Sequence, residues 1–199
     1  FQSFRDGFWQ IYELDIATLE ITRLSDGVGD DHDPHYSHDG QFIAFRSYRD
    51  GVNSTIYYMK ADGSELTRVS DPNGDARNHS WSPDSSLIAY QSDVVQELDL
   101  FVYQLSTEQT RQVTTSEVFA DFAPTWWCNA PVIVFTSDVR GPANIFETPA
   151  LPMDADPIDV ATQATQLTFT DAADQYPSGT PPEEEASRGG VLPVRPKNR

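Results

Sequence analysis

A repeat of 45 residues constrains this chain more than any other feature of its sequence. Four kinds of position recur at that spacing: Tyr36, Trp81 and Trp126; Ile43, Ile88 and Ile133; Phe45, Tyr90 and Phe135; Ser47, Ser92 and Ser137. Differences in length between the repeats fall in turn segments. Four-stranded propeller blades repeat at about 40–45 residues. The spacing therefore predicts an all-β chain, a β-propeller with about four blades of four antiparallel strands each.

The unit at residues 34–70 shows how one blade is built. It divides into four short strands, and its turns carry Asp39-Gly40, Asp50-Gly51 and Asp62-Gly63. Asp-Gly between apolar runs favours hairpins, because glycine adopts positive φ without steric cost. Residues 42–45 and 56–59 are apolar at consecutive positions. Such runs are typical of strands buried on both faces, which is the situation of a blade between two neighbours.

The other units are less regular. The sequence predicts a partial blade at residues 1–25, blades at 79–115 and 124–170, the start of a further blade at 171–180, and a disordered tail at 181–199. A degenerate strand at residues 190–194 is the alternative within the tail. The first unit begins inside a second strand, because residues 1–7 match residues 45–51. An insertion at residues 149–164 lengthens the last turn of the fourth unit.

Charge and composition limit the classes of partner. The net charge is −18, from 31 acidic and 13 basic side chains. A nucleic-acid-binding surface needs clustered lysine and arginine, so none is expected; a basic segment of a protein or peptide fits the charge better. No apolar run reaches the length of a transmembrane helix. Cys128 is the only cysteine, so no internal disulfide is expected, and its apolar context predicts a buried side chain.

Aspartates recur in the segments that join one unit to the next. They are Asp31, Asp121 and Asp174, each three residues before a proline, with Asp30 and Asp75 one register away. Such loops run toward the axis of a propeller, so the first three could form a ring of Ca²⁺ ligands. All five could instead bind a basic partner. The structural alternative is that they accept backbone N–H bonds of turns.

Other polar clusters predict little chemistry. His32, His35 and His38 lie near several aspartates, but strand alternation separates them, which argues against a three-histidine metal site. The Ser-x-Arg-Asp-Gly turns at residues 3–7 and 47–51 recur between units and are interpreted as scaffold, with arginine paired to a nearby aspartate. No nucleophile elbow, phosphate loop or metalloprotease motif is present. We therefore expect a protein that is not an enzyme.

The repeats resemble the TolB-like, WD-related β-propeller family. The resemblance rests on PHYSHDG at residues 34–40, IAFRSYRDG at 43–51, IYYMKADG at 56–63 and SWSPD at 80–84, within residues 1–180. Asn129-Ala130 departs from it, since Asp-Gly is the family pattern there. Family propellers usually close with six or more blades. Either the chain is therefore part of a larger propeller, or a strand at residues 174–179 completes the first blade and closes a ring of four.

The resemblance implies a non-catalytic scaffold that binds a protein or peptide through its loops and the mouth of its axial channel. It also makes a periplasmic or extracellular setting the favoured one. The same repeats form the propeller portion of prolyl-oligopeptidase-type hydrolases, where they gate access to a separate catalytic domain. That is the alternative function. A lyase or hydrolase with metal-bound histidine at the axis is a third hypothesis.

Overall fold

The computed structural model describes residues 1–169 except Gln96 and Glu117, and it folds them into four antiparallel sheets. Blade 1 holds β1 (Gln2–Ser3), β2 (Gln10–Leu14) and β3 (Ile21–Arg23). Blade 2 holds β4 (Asp31–Tyr36), β5 (Phe42–Ser47), β6 (Thr55–Lys60) and β7 (Thr67–Arg68). Blade 3 holds β8 (Ala76–Trp81), β9 (Leu87–Ser92), β10 (Asp99–Gln104) and β11 (Gln109–Gln112). Blade 4 holds β12 (Asp121–Trp126), β13 (Val132–Ser137), β14 (Asn144–Pro149) and β15 (Thr165–Gln166), with α1 (Val160–Gln163) before the last strand.

Each sheet is a meander in which successive strands pair antiparallel, so the predicted all-β propeller architecture is confirmed. First strands start earlier than the sequence predicts, since Asp31 already pairs with Ser47 of β5. A bulge follows in β4, and its residue Asp33 has φ 53°. Asn78 and Ala123 take the same place in β8 and β12, each with φ 52°. The bulge is therefore a property of the repeat.

The core lies between blades, in spaces that we call seams 1–2, 2–3 and 3–4 after the blades that form them. Alternate side chains of β6 enter different seams: Ile56 and Tyr58 pack in seam 2–3, whereas Tyr57 and Met59 pack in seam 1–2. Successive side chains of a strand point to opposite faces, so a strand between two blades must be apolar at every position. The consecutive apolar runs were interpreted correctly for this reason.

Tryptophan side chains fasten the first strands to one another. Trp81 donates its indole N–H to the carbonyl of His35 at 3.0 Å, and Trp126 donates to the carbonyl of Ser80 at 3.2 Å. Among the described strands, β8 contacts β4 and β12, whereas β7, β11 and β15 contact chiefly the third strand of their own blade. First strands therefore converge on the inner side, and fourth strands form the outer edges.

The insertion at residues 149–164 reaches across seam 3–4. Ile158 forms a parallel bridge with Thr114, at the outer edge of blade 3. Its N–H donates to the carbonyl of Val113 at 2.8 Å, and its carbonyl accepts from Thr115 at 3.0 Å. The side chains of Ile158 and Val160 are buried. The insertion thus clamps blade 4 to blade 3.

Cys128 is exposed, which contradicts the predicted burial, because it lies in the turn after β12 and not in the strand. In the described part of the chain, no helix qualifies as a membrane-spanning segment. The predicted blade start at residues 171–180, the closing strand at 174–179 and the tail at 181–199 lie outside the described residues.

The clamp predicts a specific stability cost. We expect Ile158→Ala to lower the free energy of unfolding by about 2–4 kcal/mol, because it leaves a cavity under a buried strand edge. Urea unfolding followed by circular dichroism measures it. The matched control is Ile16→Ala at a side chain that is 86% exposed, where a change below about 0.5 kcal/mol is expected. Equal effects of the two substitutions would contradict the clamp.

Candidate functional site

Two of the predicted acidic residues tie neighbouring blades together. A carboxylate oxygen of Asp30 accepts the backbone N–H of Trp9 at 2.9 Å, and Asp75 accepts that of Ser54 at 3.0 Å. Both donors belong to the preceding blade. The interpretation that these aspartates accept backbone N–H bonds therefore holds for Asp30 and Asp75, although the bonds cross a seam instead of capping a local turn.

Asp31 is neutralised within its own blade. It is the first residue of β4 and fully buried, so it is not the loop residue that the sequence suggested. Both of its carboxylate oxygens accept from one terminal nitrogen of Arg49, at 3.2 Å each. Arg49 also donates to the hydroxyl of Ser47 at 2.9 Å and to Asp26 at 3.1 Å. Burial raises the pKa of Asp31, while Ser47 and Arg49 pull it back down.

Asp121 occupies the same register in blade 4 but has no arginine. Asp31, Ala76 and Asp121 pair with Ser47, Ser92 and Ser137 respectively, which fixes them as equivalent positions. The place of Arg49, two residues after the serine, holds Val94 in blade 3 and Val139 in blade 4. Blade 3 thus lacks both partners, whereas blade 4 keeps the acid alone. Asp121 is 1% exposed, and neither carboxylate oxygen makes a hydrogen bond.

A second buried carboxylate, Asp99 of β10, faces Asp121 across seam 3–4. It is 1% exposed and accepts from Gln112 at 3.0 Å and from the hydroxyl of Thr114 at 3.3 Å. Burial raises the pKa of Asp99 to about 6. Burial raises the pKa of Asp121 to about 7; the nearby hydroxyls of Ser137 and Thr114 lower this pKa in part, and the negative charges of Asp99 and Asp138 raise it further. Sequence reasoning missed Asp99, because the repeat gives no information on which faces meet.

The predicted calcium ring is not assembled among the described residues. Asp31 and Asp121 belong to seams separated by blades 2 and 3, and Asp174 lies outside the described residues. In residues 1–169 with the two gaps, no three histidine, cysteine, aspartate or glutamate side chains are placed to share a metal ion. Of the three nearby histidines, His32 contacts Gln2 at 3.2 Å and His38 contacts the carbonyl of Ser82 at 3.1 Å.

An open cleft lies at the inner side of seam 2–3, where the first strands converge. It has a volume of about 260 Å³ and is lined by Asp33, His35, Asn78 and His79. The imidazole centroids of His35 and His79 are 5.1 Å apart. His79 is 4% exposed, and its Nε2 makes no hydrogen bond. Burial lowers the pKa of His79 to about 3, so its ring is neutral.

One sequence signal could have pointed to this cleft. The position of His79 is proline in the two flanking blades, at Pro34 and Pro124. A histidine there departs from the repeat and places an imidazole between two first strands. Asp33 and Asn78 both sit at bulges, which turn their side chains out of the regular ladder. The cleft can accept hydrogen bonds and attract positive charge through Asp33.

The unpaired acid predicts an unusual dependence of stability on pH. A carboxyl whose pKa rises from 3.8 to about 7 on folding stabilises the fold fully below about pH 4, and this stabilisation is lost as the pH rises to 7. As the pH rises from about 4 to about 8, we expect the free energy of unfolding of Asp121→Asn to increase by about 3–4 kcal/mol relative to that of the parent chain. Urea unfolding at several pH values, with EDTA to remove divalent cations, measures this.

The matched comparison is Asp31→Asn. It removes an equivalent buried carboxylate, but one whose charge Arg49 compensates, so we expect no comparable gain in the free energy of unfolding near neutral pH. An equal gain from both substitutions near pH 8 would contradict the assignment of Asp121 as an uncompensated acid.

Comparisons with known proteins agree with this architecture. A family model described as the TolB beta propeller domain matches residues 1–150. The structure of TolB from Acinetobacter baumannii superposes with a TM-score of 0.63 at 18% identity, covering 87% of this chain and 41% of that one. A putative TolB from Agrobacterium tumefaciens gives a TM-score of 0.67 at 19% identity, covering 84% and 58%. A structure of prolyl endopeptidases gives 0.60 at 14% identity, covering 82% and 26%.

A stretch of this chain is also 42% identical over 60 residues to an uncharacterised protein of Agrobacterium fabrum, covering 30% of this chain and 20% of that protein. The chain spans 58% or less of the length of each of these relatives. At these identities the superposed structures show a shared fold, and the family model covers most of the chain. The repeat, the four meander sheets and the matched model lead to one assignment: the chain belongs to the TolB beta-propeller domain family.

Proposed function

We propose that this protein is a non-catalytic scaffold that binds a segment of a protein or peptide at the cleft on the inner side of seam 2–3. One observation carries the proposal: the cleft is open to solvent, yet His79 at its wall is buried without a hydrogen bond to Nε2. A buried polar atom without a partner is costly, and a bound ligand could relieve that cost.

Charge favours a basic segment as the ligand. The chain carries a net charge of −18, so its field attracts cations from a distance. At the cleft itself, the carboxylate of Asp33 is half exposed although it pairs with Arg46 at 3.2 Å. A lysine or arginine of the ligand can therefore reach Asp33, while the imidazole rings of His35 and His79 offer hydrogen bonds and apolar ring faces.

The repeated polar turns support a scaffold and not an active site. Arg49 is engaged by Asp26, Asp31 and Ser47, and Asp50 accepts from the hydroxyl of Tyr57 at 2.7 Å. Tyr12 and Asp6 repeat the same bond at 2.7 Å in blade 1. Residues bound in this way hold a blade together and are not free to act on a substrate.

A second candidate function is gating in a larger hydrolase. The prolyl endopeptidase structure shares this fold over most of the chain, although the likeness extends to the fold alone. In this case a catalytic domain would lie elsewhere in the same gene product. A Gly-x-Ser-x-Gly stretch in the complete reading frame would favour gating, and its absence there would favour the scaffold function.

Peptide binding tests the scaffold proposal. We expect a fluorescein-labelled lysine-rich peptide to bind, and a glutamate-rich peptide of equal length not to bind, in a fluorescence anisotropy titration at physiological salt. Asp33→Asn should raise the dissociation constant of the lysine-rich peptide about tenfold, because it removes the carboxylate at the cleft. His79→Ala should also raise this dissociation constant.

The charge-matched control is Asp62→Asn, in the exposed turn between β6 and β7. We expect it to change the dissociation constant less than about twofold, since a charge away from the cleft acts only through screened long-range attraction. If both substitutions weaken binding equally, the peptide is attracted by net charge and the cleft is not its site.

A further inference from the structure

Seam 3–4 differs from the other two seams in its charge. Five equivalent positions line each seam: Gln10, Ser25, Asp31, Ser47 and Arg49 in seam 1–2; Thr55, Ser70, Ala76, Ser92 and Val94 in seam 2–3; Asp99, Thr114, Asp121, Ser137 and Val139 in seam 3–4. The first set balances one acid with one arginine, and the second set is neutral. The third set contains two acids, both 1% exposed, and no base.

Seam 1–2 shows where a positive charge belongs. The guanidinium of Arg49 lies between the carboxylate of Asp31 and the hydroxyl of Ser47, at 3.2 and 2.9 Å. The backbone of this turn is the same in blades 3 and 4, because Val94 and Val139 donate their N–H groups to the hydroxyls of Ser92 and Ser137 at 3.3 Å, just as Arg49 does to Ser47 at 3.3 Å. The feature specific to blade 4 is that it keeps the buried acid, Asp121, without the arginine that accompanies Asp31.

No neighbouring base takes the place of that arginine. Arg140, the next residue, is exposed and donates to the side chain of Gln166 at 2.8 Å and to the carbonyl of Ala161 at 2.9 Å. Among the described residues, no lysine, arginine or histidine forms an ion pair with Asp99 or Asp121. The titratable groups that act on the pair are themselves acids, Asp138 on Asp121 and Glu97 on Asp99.

We propose that seam 3–4 binds a divalent cation of the Ca²⁺ type between Asp99 and Asp121. The two carboxylates carry the two negative charges that such an ion neutralises. Together with the hydroxyls of Thr114 and Ser137 they offer hard oxygen ligands, which Ca²⁺ takes in sets of six to eight. Neither oxygen of Asp121 lies within normal hydrogen-bond distance of a partner, and the hydroxyls of Ser137 and Thr114 are near enough to lower its pKa.

This site differs from a ring of ligands around the propeller axis. Its ligands come from β10, β12, the end of β13 and the segment after β11, all within one seam. The cation would therefore join blade 3 to blade 4, at the seam that the insertion also clamps through Ile158 and Thr114. Protons compete for the same carboxylates, so cation binding must release protons and strengthen as the pH rises.

Calcium-dependent thermal unfolding of the full chain tests the site. At about pH 8 and physiological KCl, we expect millimolar CaCl₂ to raise the Tm by roughly 5 °C over the value in EDTA, and by less near pH 6. Isothermal titration with CaCl₂ should show about one site per chain. Asp121→Asn and Asp99→Asn should abolish both effects, and Asp121→Asn is expected to fold because it removes a buried charge.

Two further variants distinguish this site from calcium binding elsewhere on the acidic surface. Val139→Arg places a guanidinium at the position that Arg49 occupies in blade 2. The Tm of this variant in EDTA should therefore exceed that of the parent chain, and CaCl₂ should not raise it further. Asp62→Asn removes an exposed acid elsewhere and should retain the full increase in Tm with CaCl₂.

A parent chain whose Tm is unchanged by CaCl₂ would overturn the proposal, and the buried acids would then be neutralised by protons. A response that survives Asp121→Asn would overturn it as well, since the ion would then bind the acidic surface.

Discussion

Apolar packing across the seams holds this structure together. Each of the four blades contains a stacked aromatic pair. In blade 1 it joins Phe1, just before β1, to Tyr12 of β2 at 5.8 Å. In the other blades it lies on the second and third strands: Phe45 and Tyr57 at 6.1 Å, Tyr90 and Phe101 at 5.6 Å, Phe135 and Phe146 at 6.0 Å. In blades 2, 3 and 4 the pair is covered by the preceding blade. In blade 1, Phe1 remains 47% exposed. A blade therefore depends on its neighbour for burial, as expected for repeat architectures.

This dependence on apolar packing gives the polar positions freedom to change. One buried aromatic side chain stabilises a fold by about 1.5–3 kcal/mol, whereas a buried ion pair contributes little over an apolar pair of the same volume. Replacing Asp31 and Arg49 by Ala76 and Val94 in the next blade is therefore tolerated, and Val94 joins the core of seam 2–3. Replacing only the arginine costs stability, because the carboxylate of Asp121 then stays buried without its counter-charge.

The sequence predicted those features that repeat with a fixed period. The spacing of 45 residues and the consecutive apolar runs were enough for the blade order, the antiparallel meander and burial on both strand faces. They could not show that Asp31 and Asp121 begin strands, because a bulge at Asp33 and Ala123 shifts the start of the ladder by one residue. Nor could they show that the charges of Asp99 and Asp121 interact, since the two residues lie in different units and only the packing of blade 3 on blade 4 brings them near each other. Cys128 was misplaced because β12 ends at Trp126, two residues before it.

A departure from the repeat is not sufficient to identify a functional residue. Ala76 departs from Asp31 and Val94 departs from Arg49, yet this pair of apolar side chains leaves neither a carboxylate nor a guanidinium unpaired at that register. His79 departs from Pro34, and Val139 departs from Arg49, and in both cases a buried polar atom is left without a hydrogen bond: Nε2 of His79 in one, the carboxylate oxygens of Asp121 in the other. Buried polar groups without partners are rare in native proteins, because each costs the desolvation energy of the group. The physical criterion is therefore the unsatisfied group that a departure leaves behind, and by this criterion His79 in the cleft of seam 2–3 and Asp121 in seam 3–4 are the departures to test first.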